Sequence, residues 1–352
     1  MVDRKLTHQQ RLRTDQKQQA KTEKAQGHSR DLSRQTQAGQ LGSEQRGLII
    51  CRFGKEFDVE ALEGDEQGQI HRCLSRTNLG AIVTGDRVIW RAGEGHTGVI
   101  ESRLPRSSIL ERPDNFGRLK AVAANIDQLL IVTAVQPPPL ANLIDRYLVA
   151  AELMQLKPVI ILNKMDLMNE QNEAELNQLL LAYESLGYSV SRIISSRHQT
   201  PDLADIPALI NNHTSIVVGQ SGVGKSSLIN TLLPEAKLEV GELSSSSGEG
   251  THTTTRAKLF HLPAGGKLID SPGIREFGLW HIEPDQLQYG YIEIAERVGE
   301  CRFRNCQHDS EPGCAIHQAV KSGAISEQRF SSFIHTREHI RAQHAKGLGG
   351  TL

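Results

Sequence analysis

Aromatic residues and cysteines are scarce in this sequence of 352 residues. Phe, Trp and Tyr together supply 4% of the chain, so the core volume must come mainly from Leu, Ile, Val and Ala. Five cysteines are too few for a disulfide framework. No apolar stretch approaches the ~18 residues that span a bilayer, and the first residues lack the apolar segment of a secretory signal. We therefore expect a cytoplasmic protein without a membrane partner.

The charge is nearly balanced, with a net value of −1, but it is unevenly distributed. Residues 1–46 carry 10 Lys and Arg against 5 Asp and Glu and are rich in Gln. Such a segment cannot bury enough apolar surface to fold alone, so we expect a disordered basic tail. Its cations either remain solvated or order on a polyanion such as RNA.

The pattern of apolar residues predicts three domains after this tail. Residues 47–112 contain short strands of branched residues separated by turns, which fit a β-barrel such as the OB fold. That barrel either contacts nucleic acid or is a plain structural module. In residues 113–281, buried apolar runs alternate with helical stretches, which indicates an α/β domain with a mostly parallel sheet. Residues 282–352 combine a cysteine cluster with a polar helical stretch.

The last helical stretch spaces four apolar residues for one buried face. These residues are Phe330, Phe333, Ile334 and Ile340. Its cations are expected to form a basic surface that is either merely solvated or in contact with RNA: Arg329, Arg337, Arg341 and Lys346.

The strongest motif is G-x-x-x-x-G-K-[ST], between the apolar strand TSIVV and the helical stretch SSLINTLL. Its glycines let the backbone wrap around phosphates and point N–H groups inward. Lys225 is expected to reach the β- and γ-phosphates as a catalytic cation, and Ser226 to ligate Mg²⁺. The motif predicts a nucleoside triphosphate ligand, and its residues are Gly219, Gln220, Ser221, Gly222, Val223, Gly224, Lys225 and Ser226.

The nucleobase is predicted by a second motif, Asn163-Lys164-Met165-Asp166, which follows the buried strand KPVIIL. An ionised Asp166 carboxylate can accept hydrogen bonds from both N1–H and the exocyclic NH₂ of guanine, a donor pair that adenine lacks. Lys164 can lay its stem along the base. Asn163 can tie this loop to the phosphate-binding loop.

A third motif, Asp270-Ser-Pro-Gly273, follows the short strand KLI and matches D-x-x-G. Asp270 is expected to hold Mg²⁺ through water, and the Gly273 N–H to contact the γ-phosphate. The polar stretch SSSSGEGTHTTTR between the motifs is the expected switch loop. One of its three consecutive threonines should supply a second hydroxyl to Mg²⁺. We choose Thr254, although spacing does not decide among them.

Ser195 and Ser196, after the strand SVSRII, can give a further backbone contact to guanine O6. All parts of a GTPase are therefore present, but the base motif and this Ser pair precede the phosphate-binding loop, which indicates a circular permutation. The residue after DSPG is Ile274, which cannot orient water as a Gln does. His252 is the best local candidate to position or polarise water; otherwise it is a solvated loop histidine. We expect slow intrinsic turnover unless a partner completes the site.

The cysteine cluster Cys301-x₄-Cys306-x-His308-x₅-Cys314 offers three thiolates and one imidazole within a short segment. These four ligands fit a closed tetrahedral Zn²⁺ site of structural type, and the alternative is a set of redox-active thiols. Cys51 and Cys73 are expected in the barrel core.

The permuted series NKMD, SS, GQSGVGKSS, GTHTTT, DSPG and C-x₄-C-x-H-x₅-C resembles the family of small ribosomal subunit biogenesis GTPases RsgA (YjeQ). The resemblance covers roughly residues 47–340. It implies an OB barrel, a circularly permuted G domain and a zinc-bearing C-terminal domain. It extends the nucleotide-binding loop to Ser227 and matches His252 to the histidine of the family's switch loop.

The resemblance also implies a function: GTP hydrolysis stimulated by the 30S subunit, contact with 16S rRNA, late small-subunit maturation and release after hydrolysis. GTP or GDP, Mg²⁺ and one structural Zn²⁺ would be the cofactors, and the protein would be a monomer off the ribosome. Other hypotheses are a nucleotide or metabolite kinase, a non-catalytic rRNA scaffold that senses GTP, and a permuted GTPase of the large subunit.

Overall fold

The computed structural model describes residues 41–113, 118–195, 200–234, 257–270 and 282–345. The described chain separates into two compact units. The first contains the described residues up to Ile82 together with Asp86–Pro105. The second contains Val83–Gly85 and the described residues from Arg106 onward.

The first unit is a closed β-barrel of five strands. Their order is β1-β2-β3-β5-β4, and β4 pairs back with β1. The pairing of β3 with β5 is parallel and the other pairings are antiparallel, as in an OB barrel. The strands are β1 (Glu44–Phe53), β2 (Glu56–Ala61), β3 (Ile70–Ser75), β4 (Arg87–Ala92) and β5 (Thr97–Arg103).

The barrel core is made mostly of aliphatic side chains around one tryptophan. Trp90 is fully buried, and Val59 and Ile100 pack in the same cluster. Cys51 and Cys73 are buried, which confirms their expected place in the core. A low aromatic content is thus compatible with a filled barrel, because branched side chains supply most of its volume.

A two-stranded hairpin follows the barrel and belongs to the second unit. It consists of β6 (Ile109–Pro113) and β7 (Leu119–Ala124). The predicted domain boundary at residue 112 falls inside β6, whereas the last barrel strand ends at Arg103.

The second unit is built on a mostly parallel sheet of six strands in the order β10-β9-β8-β11-β13-β12. Among the described strands of this unit's sheet, β12 alone runs antiparallel to its neighbour in this order, β13. The strands are β8 (Gln128–Ala134), β9 (Lys157–Asn163), β10 (Ser189–Arg192), β11 (Thr214–Val218), β12 (Lys258–His261) and β13 (Lys267–Asp270). The accompanying helices are α1 (Ala141–Leu153), α2 (Glu173–Ser185), α3 (Ile206–Ile210) and α4 (Lys225–Leu232).

The register of this sheet gathers chain segments that are far apart in sequence. Asn163, the last residue of β9, pairs with Ala134 of β8, and Val218 of β11 pairs with Ile131. Parallel strands end at the same edge of a sheet, where ligands of α/β proteins bind. The described residues that follow β9, β10 and β11, and Asp270 at the end of β13, therefore lie at one edge despite their permuted order.

The C-terminal helices pack against α1. They are α5 (Ile292–Ala295), α6 (Ala315–Lys321) and α7 (Glu327–Ala345). Phe333 and Ile340 of α7 share one core with Val149 and Ala150 of α1, which confirms the predicted apolar face of the last helix. The sheet covers one side of α1 and these helices cover the other, so α1 has buried residues nearly all around. Among the described residues, no helix has both the length and the hydropathy that a bilayer crossing requires.

The predicted basic surface of α7 is wrong for two of its four cations. Arg329 is 2% exposed and Arg337 is 3% exposed. Arg329 pairs with Asp145 and Glu293, and Arg337 bonds the backbone carbonyl of Gln307. Both arginines face inward because acceptors on other elements satisfy their charge; the acids that meet Arg329 are themselves buried, whereas Asp309, which meets Arg337, is exposed. Arg341 is exposed, and Lys346 lies outside the described residues.

Candidate functional site

The predicted phosphate-binding loop (residues 219–226) passes from β11 into α4 through glycines that no other residue can replace without strain. Gly219 has a φ of +142°, and a Cβ there would lie 2.0 Å from the carbonyl oxygen of Val132. Gly224, just before α4, has a φ of +95°. Lys225 is buried, and its Nζ donates to the carbonyl oxygens of Gly219 at 2.7 Å and Gln220 at 2.5 Å. The Lys225 ammonium group is therefore held by backbone carbonyl oxygens of the loop itself.

The predicted base-binding loop (residues 163–166) is joined to the predicted phosphate-binding loop by one buried amide. Asn163 Nδ2 donates to the Val223 carbonyl oxygen at 2.9 Å. Asn163 Oδ1 accepts from the backbone N–H of Ser195 at 3.1 Å and from its hydroxyl at 3.0 Å. Asn163 thus makes the contact between the loops that the sequence predicts, and it also fixes the segment after β10.

Lys164 makes a second connection between the same loops. Its backbone adopts the left-handed conformation, with a φ of 60°. Its Nζ donates to the carbonyl oxygens of Gln136 and Gly222, both at 2.7 Å. The stem of Lys164 therefore spans the gap between the two loops. Nothing in the sequence predicted the contact with Gln136, since it depends on where the chain leaves β8.

The remaining residues of the base-binding loop form a short 3₁₀ turn over Met165–Leu167. Asp166 lies in this turn and is exposed, so its carboxylate is open to a ligand at the sheet edge. Asp270 is the last residue of β13, and β13 runs parallel to β11, which leads into the phosphate-binding loop. The structure thus brings Asn163, Asp166, Ser195 and Asp270 to the edge that carries residues 219–227.

Five residues that the sequence assigns or relates to this site lie outside the described residues. They are Ser196, His252, Thr254, Gly273 and Ile274. Their expected roles stay predictions.

Replacement of Asn163 by Ala is expected to destabilise the fold and loosen nucleotide binding together. The change removes the bond to Val223 and leaves the buried Ser195 N–H without its acceptor, which costs about 1–3 kcal/mol. Thermal unfolding and titration with fluorescent GDP would measure both effects. Gln178→Ala removes an exposed amide from α2 and is the control. An Asn163→Ala protein with unchanged unfolding temperature and GDP affinity would contradict this assignment.

The four predicted metal ligands converge in the C-terminal part. The ligand atoms of Cys301, Cys306, His308 and Cys314 all lie within 4.8 Å of one another. The sulfurs of Cys301 and Cys314 are 3.9 Å apart, and His308 Nδ1 lies 3.6 Å and 3.4 Å from these two sulfurs. Tetrahedral zinc with ordinary bond lengths requires about 3.8 Å between sulfurs and about 3.6 Å between sulfur and nitrogen. The cluster therefore fits a zinc ion.

A neighbouring side chain and burial prepare His308 for this role. Its Nε2 lies 3.2 Å from Oε1 of Gln288, which places the ring proton on Nε2 and leaves Nδ1 to face the sulfurs. Burial lowers the pKa of His308 and so favours the neutral ring that binds metals. Gln288 was missed by the sequence analysis, because no spacing rule relates it to the cluster.

Burial raises the pKa of the Cys306 thiol to about 12 and also raises the pKa of Cys314. A bound cation must displace these protons, because the thiolate is the metal ligand. Metal retention is therefore expected to weaken as the pH falls.

The Cys306→Ser protein is expected to lose its zinc and to unfold about 5–10 °C lower, because a structural metal contributes directly to folding. Elemental analysis of the purified protein and differential scanning calorimetry would measure the two effects. Cys51→Ser, in the barrel, is the control and should retain full metal content. Equal zinc content in the two variants would argue against the cluster as a metal site.

Comparison with known proteins gives a consistent result. The family model described as RsgA GTPase matches residues 103–280. A protein of Marinobacter nauticus named small ribosomal subunit biogenesis GTPase RsgA is 50% identical over 348 residues, covering 99% of each chain. A protein of the same name from Hahella chejuensis is 52% identical over 343 residues, covering 97% of this chain and 98% of its own.

Solved structures give the same relationship. The crystal structure of YjeQ from Thermotoga maritima aligns with a TM-score of 0.70 at 30% identity, covering 85% of this chain and 99% of that one. The structure of YloQ, described as a circularly permuted GTPase, aligns with a TM-score of 0.68 at 28% identity and covers 86% of this chain and 96% of its own. Together with the permuted sheet edge, the barrel and the Cys₃His cluster, these matches show that the chain belongs to the RsgA family of circularly permuted GTPases.

Proposed function

We propose that this GTPase acts in the late maturation of the small ribosomal subunit: it binds the 30S particle and 16S rRNA in the GTP form and leaves after hydrolysis. The observation that carries the proposal is the identity of about half of all residues, over nearly the whole chain, with proteins named for small-subunit biogenesis. The setting is the cytoplasm, and the protein off the ribosome is a monomer.

Guanine recognition is assigned to the exposed carboxylate of Asp166. The ionised carboxylate accepts from guanine N1–H and from the exocyclic NH₂, whereas adenine would leave it without a donor pair. The stem of Lys164, held by Gln136 and Gly222, gives the base a surface to lie on. The segment at Ser195 and Ser196 supplies a contact to guanine O6. Met165 belongs to the same loop.

Phosphate binding is assigned to the loop of residues 219–227. Its backbone N–H groups and the N-terminus of α4 favour the negative charge of the phosphates, and Lys225 adds a full positive charge. Ser226, Asp270 and Thr254 would hold Mg²⁺, which neutralises charge on the β- and γ-phosphate oxygens when it is bound. The Gly273 N–H is assigned to the γ-phosphate.

Hydrolysis requires a water molecule in line with the γ-phosphate. Ile274 has no group that could orient this water, so His252 is assigned to position it. A single histidine is a weak substitute for a complete site, so we expect slow turnover in the free protein. Stimulation by the 30S particle would come from contacts that fix the loop.

Zinc is assigned a structural role in the C-terminal part. The three thiols and His308 supply four protein ligands, and a closed set of four leaves no position for a substrate. The four ligand residues hold the segment 301–314 in a fixed conformation against α7.

The experiment that tests the proposed function is GTP turnover by the full-length protein, alone and with purified 30S or 50S particles. We expect stimulation of about 10-fold or more by 30S particles only, as when a partner completes a GTPase site. Stimulation by 50S particles instead would indicate a large-subunit factor. Normal subunit maturation in cells that carry Lys225→Ala would indicate a non-catalytic scaffold.

A further inference from the structure

Helix α7 carries two buried arginines, Arg329 and Arg337, about 12 Å apart along its axis. Arg329 makes a two-pronged ion pair with Glu293 of α5, at 2.6 Å and 3.0 Å. Its Nη1 also donates to Asp145 Oδ1 of α1 at 2.7 Å. All three side chains are at least 90% buried, so water cannot replace a lost partner.

The contacts of Asp145 attach this ion network to the nucleotide-binding domain. Asp145 Oδ1 also accepts from the Tyr183 hydroxyl of α2 at 2.8 Å. Ser332 of α7 donates to the side chain of Asn142 at the start of α1. A few residues upstream, the carbonyl oxygen of Gln136 holds Lys164 of the base-binding loop. The chain from Gln136 to Asp145 therefore connects the residue that pairs with Arg329 to the nucleotide site.

The other buried arginine holds the loop that carries two metal ligands. Arg337 donates to the carbonyl oxygen of Gln307, between Cys306 and His308, and to the carboxylate of Asp309, the residue after His308. The Glu311 carboxylate stiffens the same loop by accepting from three backbone N–H groups, those of Gln307, Asp309 and Ser310. The loop therefore cannot shift without disturbing Arg337, and the ring of Phe333 packs beside that arginine.

We propose that α7 links metal retention to nucleotide binding. Arg337 is hydrogen-bonded to the metal-ligand loop, and Arg329 is ion-paired with Asp145 of helix α1. A buried arginine keeps its partners because leaving its charge unpaired is strongly unfavourable. Movement of the ligand loop is therefore passed along α7 to α1 and the base-binding loop. Any such linkage acts equally in both directions, so bound nucleotide must also tighten metal binding.

The proposal rests on the nucleotide and metal sites assigned above, so each binding event is measured separately first. The dissociation constant for fluorescent GDP is determined for the full-length zinc-loaded protein and for the same protein after chelation. We expect metal removal to weaken GDP binding by about 5-fold or more. We also expect bound GDP to lower the dissociation constant for zinc by the same factor.

Variants on the helix identify the route. Arg329→Met should still bind zinc and GDP. The ratio of its GDP dissociation constant without zinc to that with zinc should, however, fall to less than about twofold, below the range typical of coupled binding sites. Glu293→Gln keeps the shape of the side chain paired with Arg329 and should lower the same ratio. It provides the test if Arg329→Met does not fold. Glu338→Gln removes an exposed charge from the same helix, on a side chain far less buried than Glu293, and should keep the wild-type ratio.

Two results would overturn the proposal: equal GDP affinity of the wild-type protein with and without zinc, or an undiminished ratio in folded Arg329→Met or Glu293→Gln protein. Failure of the wild-type zinc-loaded protein to bind GDP at all would instead overturn the assigned nucleotide site.

Discussion

Replacement of Lys225 by Ala is expected to lower kcat/KM for GTP by about 10³-fold or more, since one preorganised charge at the reacting centre is worth a factor of 10²–10³ and this lysine also binds the ground-state phosphates. Its Nζ lies inside the curve of the phosphate-binding loop, where the carbonyl oxygens of Gly219 and Gln220 hold it. No other residue of that loop carries a positive charge. Steady-state phosphate release with excess GTP would measure the effect.

The control for this change is Lys157→Ala, which removes an exposed lysine from the start of β9, at the opposite edge of the same sheet. It should leave turnover within a factor of about two, as expected for a surface substitution away from the site. Turnover by Lys225→Ala at a rate close to that of the control would remove residues 219–226 from the catalytic site.

Replacement of Asp166 by Asn is expected to reverse the base preference. The new amide places an NH₂ where guanine also presents an NH₂, so GDP affinity should fall by about 10⁴-fold, the rejection expected when a built hydrogen-bond pair is broken. Xanthine carries an oxygen at that position and can accept from the amide, so the variant should bind XDP better than GDP. Competition of GDP and XDP against a fluorescent nucleotide would measure both constants.

Glu170→Gln is the matched control, because it neutralises an exposed carboxylate a few residues further along the chain. It should bind GDP as the wild type does. An Asp166→Asn protein that keeps its preference for GDP over XDP would show that another group reads the base.

The motifs at the sheet edge are predictable from sequence because each depends on local chemistry. A strand followed by a glycine-rich loop and a helix specifies the backbone of residues 219–226, and Gly219 shows why: any Cβ there would collide with Val132. The pairing of distant loops followed from the parallel strands, whose carboxyl ends share an edge. Permutation does not disturb this, since spatial neighbours rather than chain order form the site.

Other parts of the fold depend on partners that the local sequence does not reveal. Strand β2 has the sequence EFDVEA, in which acidic residues alternate with the buried Phe57, Val59 and Ala61. The three acids are typical of a loop, but apolar and acidic residues alternate with a period of two, which indicates a strand with one buried face. The hairpin of β6 and β7 was missed for a related reason, because its strands are short and only partly buried.

The arginines of α7 show the limit most clearly. A cation on a polar helix is usually exposed, so Arg329 was placed on the surface. It is buried because Asp145, 184 positions earlier in the chain, and Glu293 meet it there. The buried acids carried no local signal, and neither did the contact of Gln288 with His308, since both depend on how the C-terminal helices pack against α1.

The most direct test of the account is calorimetric titration of the full-length protein with GDP and with ADP under identical conditions. If the permuted loops form one guanine-nucleotide pocket, GDP binds at a single site with micromolar or tighter affinity and ADP binds at least about 10³-fold more weakly. Equal affinity for the two nucleotides would contradict the assignment of the base-binding loop and, with it, the pocket from which every functional conclusion here is drawn.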